Sequence, residues 1–157
     1  MSNIERFLCE AIELAQRNIE KGGRPFGAVI VKDGKVIAAG VNEILGTNDP
    51  TAHAELMAIR AASQKLGSPN LNGCSVFASG HPCPMCIAAM RLAGVGEVTY
   101  AYSNDDGAPY GLSTAAIYAD LAKPFSEQSM KISHVPTRPE SRPDLYAEWK
   151  RRQNQRG

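Results

Sequence analysis

Phe26-Gly27-Ala28-Val29-Ile30-Val31 and Val36-Ile37-Ala38-Ala39 stand on either side of Asp33-Gly34. Two apolar runs around an Asp-Gly pair predict a β-hairpin, because these two residue types accept the positive φ angles that a tight hairpin turn demands. Upstream, Ile4, Phe7, Leu8, Ala11, Ile12, Ala15 and Ile19 recur at spacings of three and four with charged residues between them, and Gly22-Gly23 follows. That periodicity predicts an amphipathic helix over residues 4–20. Downstream, residues 51–66 carry Leu56, Ile59, Ala62 and Leu66 on one helical stripe closed by Gly67. Cys74-Ser75-Val76-Phe77-Ala78 reads as a buried strand, and a helix from Cys83 to Ala93 is entered through Pro84, a favourable first-turn residue. Residues 97–102 predict another strand, 113–122 a shorter helix, 130–135 a last strand, and a tail from about Ser141 a final helix. Helices alternating with strands after a hairpin give an α/β fold whose mixed sheet is covered on both faces. No linker interrupts the chain, so residues 1–157 are expected to form one domain with a helical tail at about 141–157.

Composition narrows the function classes. The 157 residues are 43% hydrophobic and 21% charged, with 17 Lys and Arg against 16 Asp and Glu. A chain of this size buries a real core without disulfides, and no apolar run approaches the ~20 residues that span a bilayer. The charge balance argues against a dedicated polyanion binder, since phosphate-backbone affinity rests on many Lys and Arg contacts. Residues 136–157 are locally basic, with Arg138, Arg142, Lys150, Arg151, Arg152 and Arg156 against Glu140, Asp144 and Glu148. The first residues lack the basic, apolar and small-residue pattern of an export signal, so cytoplasmic residence is expected. In a reducing compartment the cysteines at 9, 74, 83 and 86 read as thiols or metal ligands.

His53-Ala54-Glu55 opens one predicted helix, and Pro82-Cys83-Pro84-Met85-Cys86 opens another. Catalytic zinc takes three protein ligands and leaves a fourth position for water; His53, Cys83 and Cys86 supply three. Cys83 and Cys86 share a face at a helix start, where the macrodipole favours thiolates. One neutral imidazole and two thiolates cancel the charge of the cation, so its water is acidified less than at a three-histidine site and a neighbouring base is needed. Glu55 is the candidate, as a proton shuttle and not a ligand. By themselves the two cysteines also fit a structural zinc half-site or a redox pair. A structural zinc would draw a fourth ligand from Cys74 or His81. Cys9 and Cys74 otherwise read as inert core thiols, His134 as a strand-end residue, and His81 as either a substrate contact or loop surface.

With these motifs the sequence resembles the zinc-dependent cytidine and purine deaminase superfamily, and within it the small bacterial guanine deaminases and the tRNA adenosine deaminases. The similarity runs through Pro25 to Val31, Asn42, Asn48-Asp49-Pro50-Thr51-Ala52-His53-Ala54-Glu55, Pro82 to Cys86 and the tail around Trp149. The resemblance implies a three-layer α/β/α sandwich with a five-stranded mixed sheet, one Zn2+ per chain, and hydrolytic removal of an amino group from a heterocycle as ammonia. It implies that Phe26 stacks on the ring, that Asn42 hydrogen-bonds the base, and that the Ala54 backbone lines the pocket. It also implies a homodimer, because in guanine deaminases the tail packs close to the active site and can be exchanged between subunits; Leu145, Tyr146 and Trp149 would then help close the pocket.

The sequence departs from that pattern in two places. His81 stands where the family commonly has Glu before Pro-Cys. Gly111-Leu112-Ser113-Thr114-Ala115-Ala116-Ile117-Tyr118 lacks the acidic residues that guanine deaminases carry before Ile-Tyr. An acceptor for a guanine edge would then fall to Asp105, Asp106 or Asp120. The loop Ser103-Asn104-Asp105-Asp106-Gly107-Ala108-Pro109 carries two carboxylates that would repel phosphate, which favours a small heterocycle, guanine or a close aminopurine, over tRNA. A tRNA adenosine deaminase, a cytosine, pterin or triazine deaminase, and a zinc-stabilised interaction module without turnover stay open on the sequence alone.

Overall fold

In the computed structural model, which describes residues 1–156, strand β1 (Gly27–Lys32) runs through the centre of the sheet, buried from Gly27 to Val31. Ala28 and Ile30 point to one face and Val29 and Val31 to the other. Burial of both sets explains why this segment is an unbroken apolar run and not an alternating one. The predicted hairpin forms: β2 (Lys35–Val41) pairs antiparallel with β1, with Lys32 opposite Lys35. Asp33 at φ 51° and Gly34 at φ 76° make the turn. A bulge falls between Ile30 and Val31, which pair with Ala38 and Val36. On its other edge β1 pairs antiparallel with β3 (Cys74–Gly80), and β3 pairs in parallel with β4 (Glu97–Tyr102). The order is β2-β1-β3-β4.

The sheet therefore has four strands, not the five that the resemblance implied. Residues 130–135, read as a last strand, form no ladder and expose Met130 and Val135. A strand exists only where a neighbour completes its hydrogen bonds, and the short apolar alternation here, stopped by Pro136, does not supply one.

Helix α1 (Asn3–Glu20) covers one face of the sheet, where Phe7 packs with Val29, Val31 and Phe77. It begins in a reciprocal cap, with Ser2 Oγ accepting from the Glu5 N–H at 3.1 Å and the Ser2 N–H donating to Glu5 at 2.8 Å. Cys9, expected in the core, is exposed on the outer side of this helix. A short helix α2 (Ile44–Thr47) follows β2. The opposite face of the sheet is covered by α3 (Ala54–Leu66) and α4 (Pro84–Ala93), whose Ala54, Ala58, Ala62, Cys86 and Met90 pack on Ala28, Ile30 and Val76. The rest of this unit is α5 (Asn104–Gly107), a 3-10 turn at Ala108–Tyr110, and α6 (Ala115–Leu121), somewhat shorter than the helix expected over 113–122.

Two glycines set the distance between layers. A Cβ on Gly27 would strike the Ala11 carbonyl of α1. One on Gly40 would stand 2.5 Å from the Ala54 oxygen and 2.6 Å from the Ala58 nitrogen. Only hydrogen fits there, so the first turn of α3 lies directly on β2. Because β2 and β3 both run antiparallel to β1, their C-terminal ends lie at the same end of the sheet. α3 and α4 follow β2 and β3 in the chain from that end.

The described residues group into two compact units, Met1–Ala122 and the segment from Lys123 onward. The second contains a 3-10 turn at Phe125–Glu127, extended chain, and helix α7 (Leu145–Arg156). α7 starts after Pro143-Asp144 and not near Ser141, since the Asp144 carboxylate accepts from the Ala147 N–H at 3.1 Å. Its Leu145, Tyr146 and Trp149 are 75%, 80% and 60% exposed, and Glu148 binds Arg151 and Arg152 at 2.8 and 2.7 Å. Those two guanidinium groups hold the Glu148 carboxyl down at about 2. Among the described residues no helix is long and apolar enough to cross a membrane.

Candidate active site

The loop before α3 is fixed by its own side chains. Asp49 Oδ1 accepts from the Thr51 N–H at 2.9 Å and from the Thr51 hydroxyl at 2.7 Å, which holds its carboxyl below the usual range. The His53 N–H donates to the Thr51 carbonyl at 2.7 Å. This turn delays the helix, expected from Thr51, until Ala54. His53 becomes its N-cap residue and Glu55 lies in its first turn. Cys83 is likewise the N-cap residue of α4, with Pro84 in the first turn. Neither side chain serves as a hydrogen-bonding cap. Both turn instead toward each other.

His53 Nδ1 lies 3.3 Å from Cys83 Sγ and 3.5 Å from Cys86 Sγ, and the two sulfurs are 3.6 Å apart. Tetrahedral zinc with its usual bond lengths would separate two sulfurs by about 3.8 Å and a nitrogen from a sulfur by about 3.6 Å. The donor set and its spacing therefore fit one zinc ion on the three residues chosen from sequence. Among the described residues this metal-ligating cluster contains those three alone. Cys74 is buried within β3 and, like His81, is not part of the cluster. A zinc ion held by these three residues would keep a fourth position for a non-protein ligand, the pattern of catalytic sites.

Without the cation, the hydrogen bond with Cys86 and that with His53 hold Cys83 down at about 4. The same bond with Cys83, together with burial, pushes Cys86 far up, so the pair retains one proton. His53 is raised by its hydrogen bond to Cys83. Glu55 is 7% exposed, and burial pushes its carboxyl above the usual range.

Beside the cluster lies a cavity of about 150 Å³. Phe26, Asn42, His53, Ala54, Glu55, His81 and Cys83 all line it, so every site residue chosen from the first unit except Cys86 reaches its wall. Cys86 lies beneath, fully buried. Trp149 belongs to the second unit. Asn42 serves the fold as well as the cavity: its Oδ1 accepts from the Ile44 N–H at 3.1 Å, and its carbonyl accepts from the buried Asn18 amide at 2.9 Å. Phe26 packs against the core and over Gly80. The His81 ring lies between those of Tyr100 and Tyr118, at centroid distances of 4.7 and 5.5 Å. The Tyr118 hydroxyl donates to the Pro82 carbonyl, which ties α6 to the residue before Cys83.

Three features of the cavity were not foreseen. Arg24 and the pair Ser113-Thr114 contribute to its wall. None of the three aspartates proposed to read a guanine edge does so. Asp106 lines an adjoining 540 Å³ cleft, which shares Phe26, His81 and Leu112 with this cavity, and closes a cap on α5, accepting from the Ser103 N–H at 2.8 Å. Asp105 is exposed on α5, and Asp120 lies on α6. Arg24 carries no sequence signal. Ser113-Thr114 was visible as the place where acidic residues were missing.

The model of the cytidine and deoxycytidylate deaminase zinc-binding region matches residues 1–102. Guanine deaminase of Bacillus subtilis is 44% identical over 134 residues, covering 85% of this chain and 86% of that protein. The X-ray structure of guanine deaminase from Bacillus subtilis superposes with a TM-score of 0.80 at 40% identity, covering 97% of this chain and 92% of the other. A tRNA-specific adenosine deaminase of Aquifex aeolicus is 41% identical over 96 residues, 61% of this chain and 64% of that protein.

Proposed function

Because the chain belongs to the cytidine and deoxycytidylate deaminase family and is a zinc-dependent deaminase, we propose that it removes the amino group of guanine or a close aminopurine by hydrolysis. The observation that carries this reading is the buried Glu55 on a small cavity beside His53, Cys83 and Cys86, whose ligand atoms are spaced to fit one zinc ion. The cation, when bound, makes a water nucleophilic near neutral pH.

The residues of the chain account for the remaining requirements. A cavity of about 150 Å³ is smaller than sites for drug-sized ligands, and it suits one planar ring system. Phe26 offers a face for stacking, and Asn42, whose Oδ1 is engaged by Ile44, offers its amide N–H groups to the base. The Ala54 backbone and His81 complete the wall. Glu55 takes a proton from the attacking water and delivers it to the ring nitrogen beside the reacting carbon. It then transfers the second water proton to the departing amino group. One C–O bond forms, one C–N bond breaks, and ammonia leaves with no net change in Glu55. Burial suits Glu55 to this work, since a carboxyl with a raised pKa holds a proton between the two transfers.

A free base is favoured over tRNA by two observations. Similarity to the Bacillus guanine deaminase extends over 134 residues and that to the Aquifex tRNA enzyme over 96. The acidic turn at Ser103–Asp106 also supports a small substrate. We place the enzyme in the cytoplasm, where its thiol ligands stay reduced. An ammonia-release screen of zinc-loaded protein tests the substrate. Guanine is expected to give the highest kcat/KM among guanine, guanosine, adenine, cytosine, pterins and amino-triazines. Inosine formed in a tRNA anticodon stem-loop, with no activity on free bases, would reverse this assignment.

We further propose that residues 1–157 act as one catalytic domain in a homodimer, with Trp149 and the segment 141–157 helping to close the pocket. The exposed apolar side of α7 supports this, because so large an unpartnered aromatic and aliphatic patch is unusual on a monomer. Deleting residues 141–157 is expected to lower kcat/KM about tenfold or more while zinc stays bound, since a closing element excludes water and positions the ring. A truncated protein that is folded, metallated and fully active rejects the closing role, and sedimentation of the full chain as a monomer rejects the dimer.

A further inference from the structure

We propose that Asn18, a residue of α1 outside the cavity wall, is a positioning residue whose side-chain amide fixes Phe26 and Asn42 relative to each other. This rests on the deaminase reading above, in which those two residues hold the base. Asn18 is 8% exposed, and its amide nitrogen donates to the Arg24 carbonyl at 2.8 Å and to the Asn42 carbonyl at 2.9 Å. Both partners are acceptors, so the two N–H groups of the amide are spent on them and its orientation is settled.

Those bonds join two segments that meet at the cavity. The ladder between β1 and β2 ends with Gly27 opposite Val41. Just beyond it, the Asn42 N–H donates to the Phe26 carbonyl at 3.2 Å, and the Phe26 N–H donates to the Arg24 carbonyl at 2.9 Å. The Asn18 amide connects the two ends of this short chain of bonds, Arg24 and Asn42, and closes it into a ring. It holds the strand pair together where a ladder would otherwise fray, at the point where Phe26 and Asn42 reach the cavity wall. With Asn42 Oδ1 engaged by the Ile44 N–H, the backbone held by Asn18 also decides where the Asn42 amide N–H groups point.

Gly23 shows independently that the amide has a reserved place. A Cβ there would stand 2.6 Å from Asn18 Nδ2 and 2.8 Å from its Cγ, closer than such atoms approach. Gly23 does not have a positive φ, so the backbone conformation makes no demand for glycine at this position. The space is kept for the Asn18 side chain, and the Gly23 N–H donates to the Asn18 carbonyl at 2.8 Å.

Asn18→Ala removes the amide and leaves both carbonyls. On guanine, or on whichever base the screen ranks first, KM is expected to rise about tenfold with kcat within about twofold of wild type, because Phe26 and Asn42 hold the ring alike before and during reaction. Zinc should stay near one per chain. The melting temperature falls whether Asn18 positions or only stabilises, so the deciding readout is coupling to Asn42. In an Asn42→Ala background the same change is expected to raise KM by about threefold or less, while its effect on melting temperature is undiminished. Wild-type KM in Asn18→Ala overturns the proposal, as does a rise in KM that is equally large in both backgrounds. If Asn18→Ala does not fold, Gly23→Ala, which keeps the amide and crowds it, enters the same cycle under the same criteria. If the wild type releases ammonia from no base, the deaminase reading fails, and the cycle is read by calorimetric binding of 8-azaguanine. Weaker binding by Asn18→Ala that is coupled to Asn42 supports the positioning role. Uncoupled or equal binding, or none by wild type, overturns it.

Discussion

Glu55→Gln is expected to lower kcat by about a thousandfold, within the range that a positioned acid–base group contributes, while zinc remains near one per chain. The amide keeps the size of the carboxylate and its place in the first turn of α3, but it cannot accept a proton from water and release it to the ring. Because the loss falls on steps after binding, KM should change far less than kcat. Wild-type kcat/KM should also decline as the pH falls through the pKa of Glu55. The free enzyme needs the ionised carboxylate to accept a proton, and burial raises the pH at which that form is lost. Steady-state kinetics on the preferred base and metal analysis of the same preparation decide the matter. A fully metallated Glu55→Gln enzyme with near-normal kcat would falsify the shuttle role.

The second large effect belongs to the thiols. Cys83→Ala or Cys86→Ala is expected to reduce bound zinc from about one per chain to a small fraction and to abolish turnover with it. His53 and a single thiolate leave too few protein ligands for a tight site. Since the metal binds the folded chain, its loss also removes stabilisation of about 2.7 kcal/mol at a zinc concentration one hundred times Kd. The sign of the pH dependence follows from the thiols themselves. The metal-free pair retains a proton, with Cys83 held at about 4 and Cys86 pushed up by burial and by its hydrogen bond to Cys83. Zinc must displace that proton, so affinity weakens as pH falls. Chelator competition across pH, read by metal content and melting temperature, tests both statements. A single alanine variant that stays fully metallated would remove its residue from the ligand set.

Much of the site was legible because its parts are local. His53 and Glu55 are separated by one residue, Cys83 and Cys86 by two, and each pair sits at a helix start marked by its own turn or proline. Ligand identity depends on side-chain chemistry, and local helix geometry fixes which residues of a pair share a direction. The hairpin was equally plain, since Asp33-Gly34 writes the turn and the flanking residues write the strands. What failed was non-local. Residues 130–135 have strand-like composition, but a strand is a relation between two segments and no ladder formed. Cys9 falls beside the apolar stripe of α1 and is exposed, because the edge of a helix face is set by what packs on it. The three aspartates proposed for the base lie elsewhere, because loop direction after β4 is not written in the loop's composition.

The sequence by itself supplied the candidate metal ligands His53, Cys83 and Cys86, the candidate base Glu55 and the alternation of helices around a hairpin. All of these are chemical identities or spacings within a few residues. Only the tertiary structure decided that the two helix starts converge. That convergence requires β2 and β3 to run in the same direction and α3 to lie against Gly40 with no Cβ between them. It also decided which residues from distant segments, Arg24 and Ser113-Thr114 among them, line the cavity. Side-chain direction at a loop end is fixed by packing from remote segments, and no local pattern encodes it.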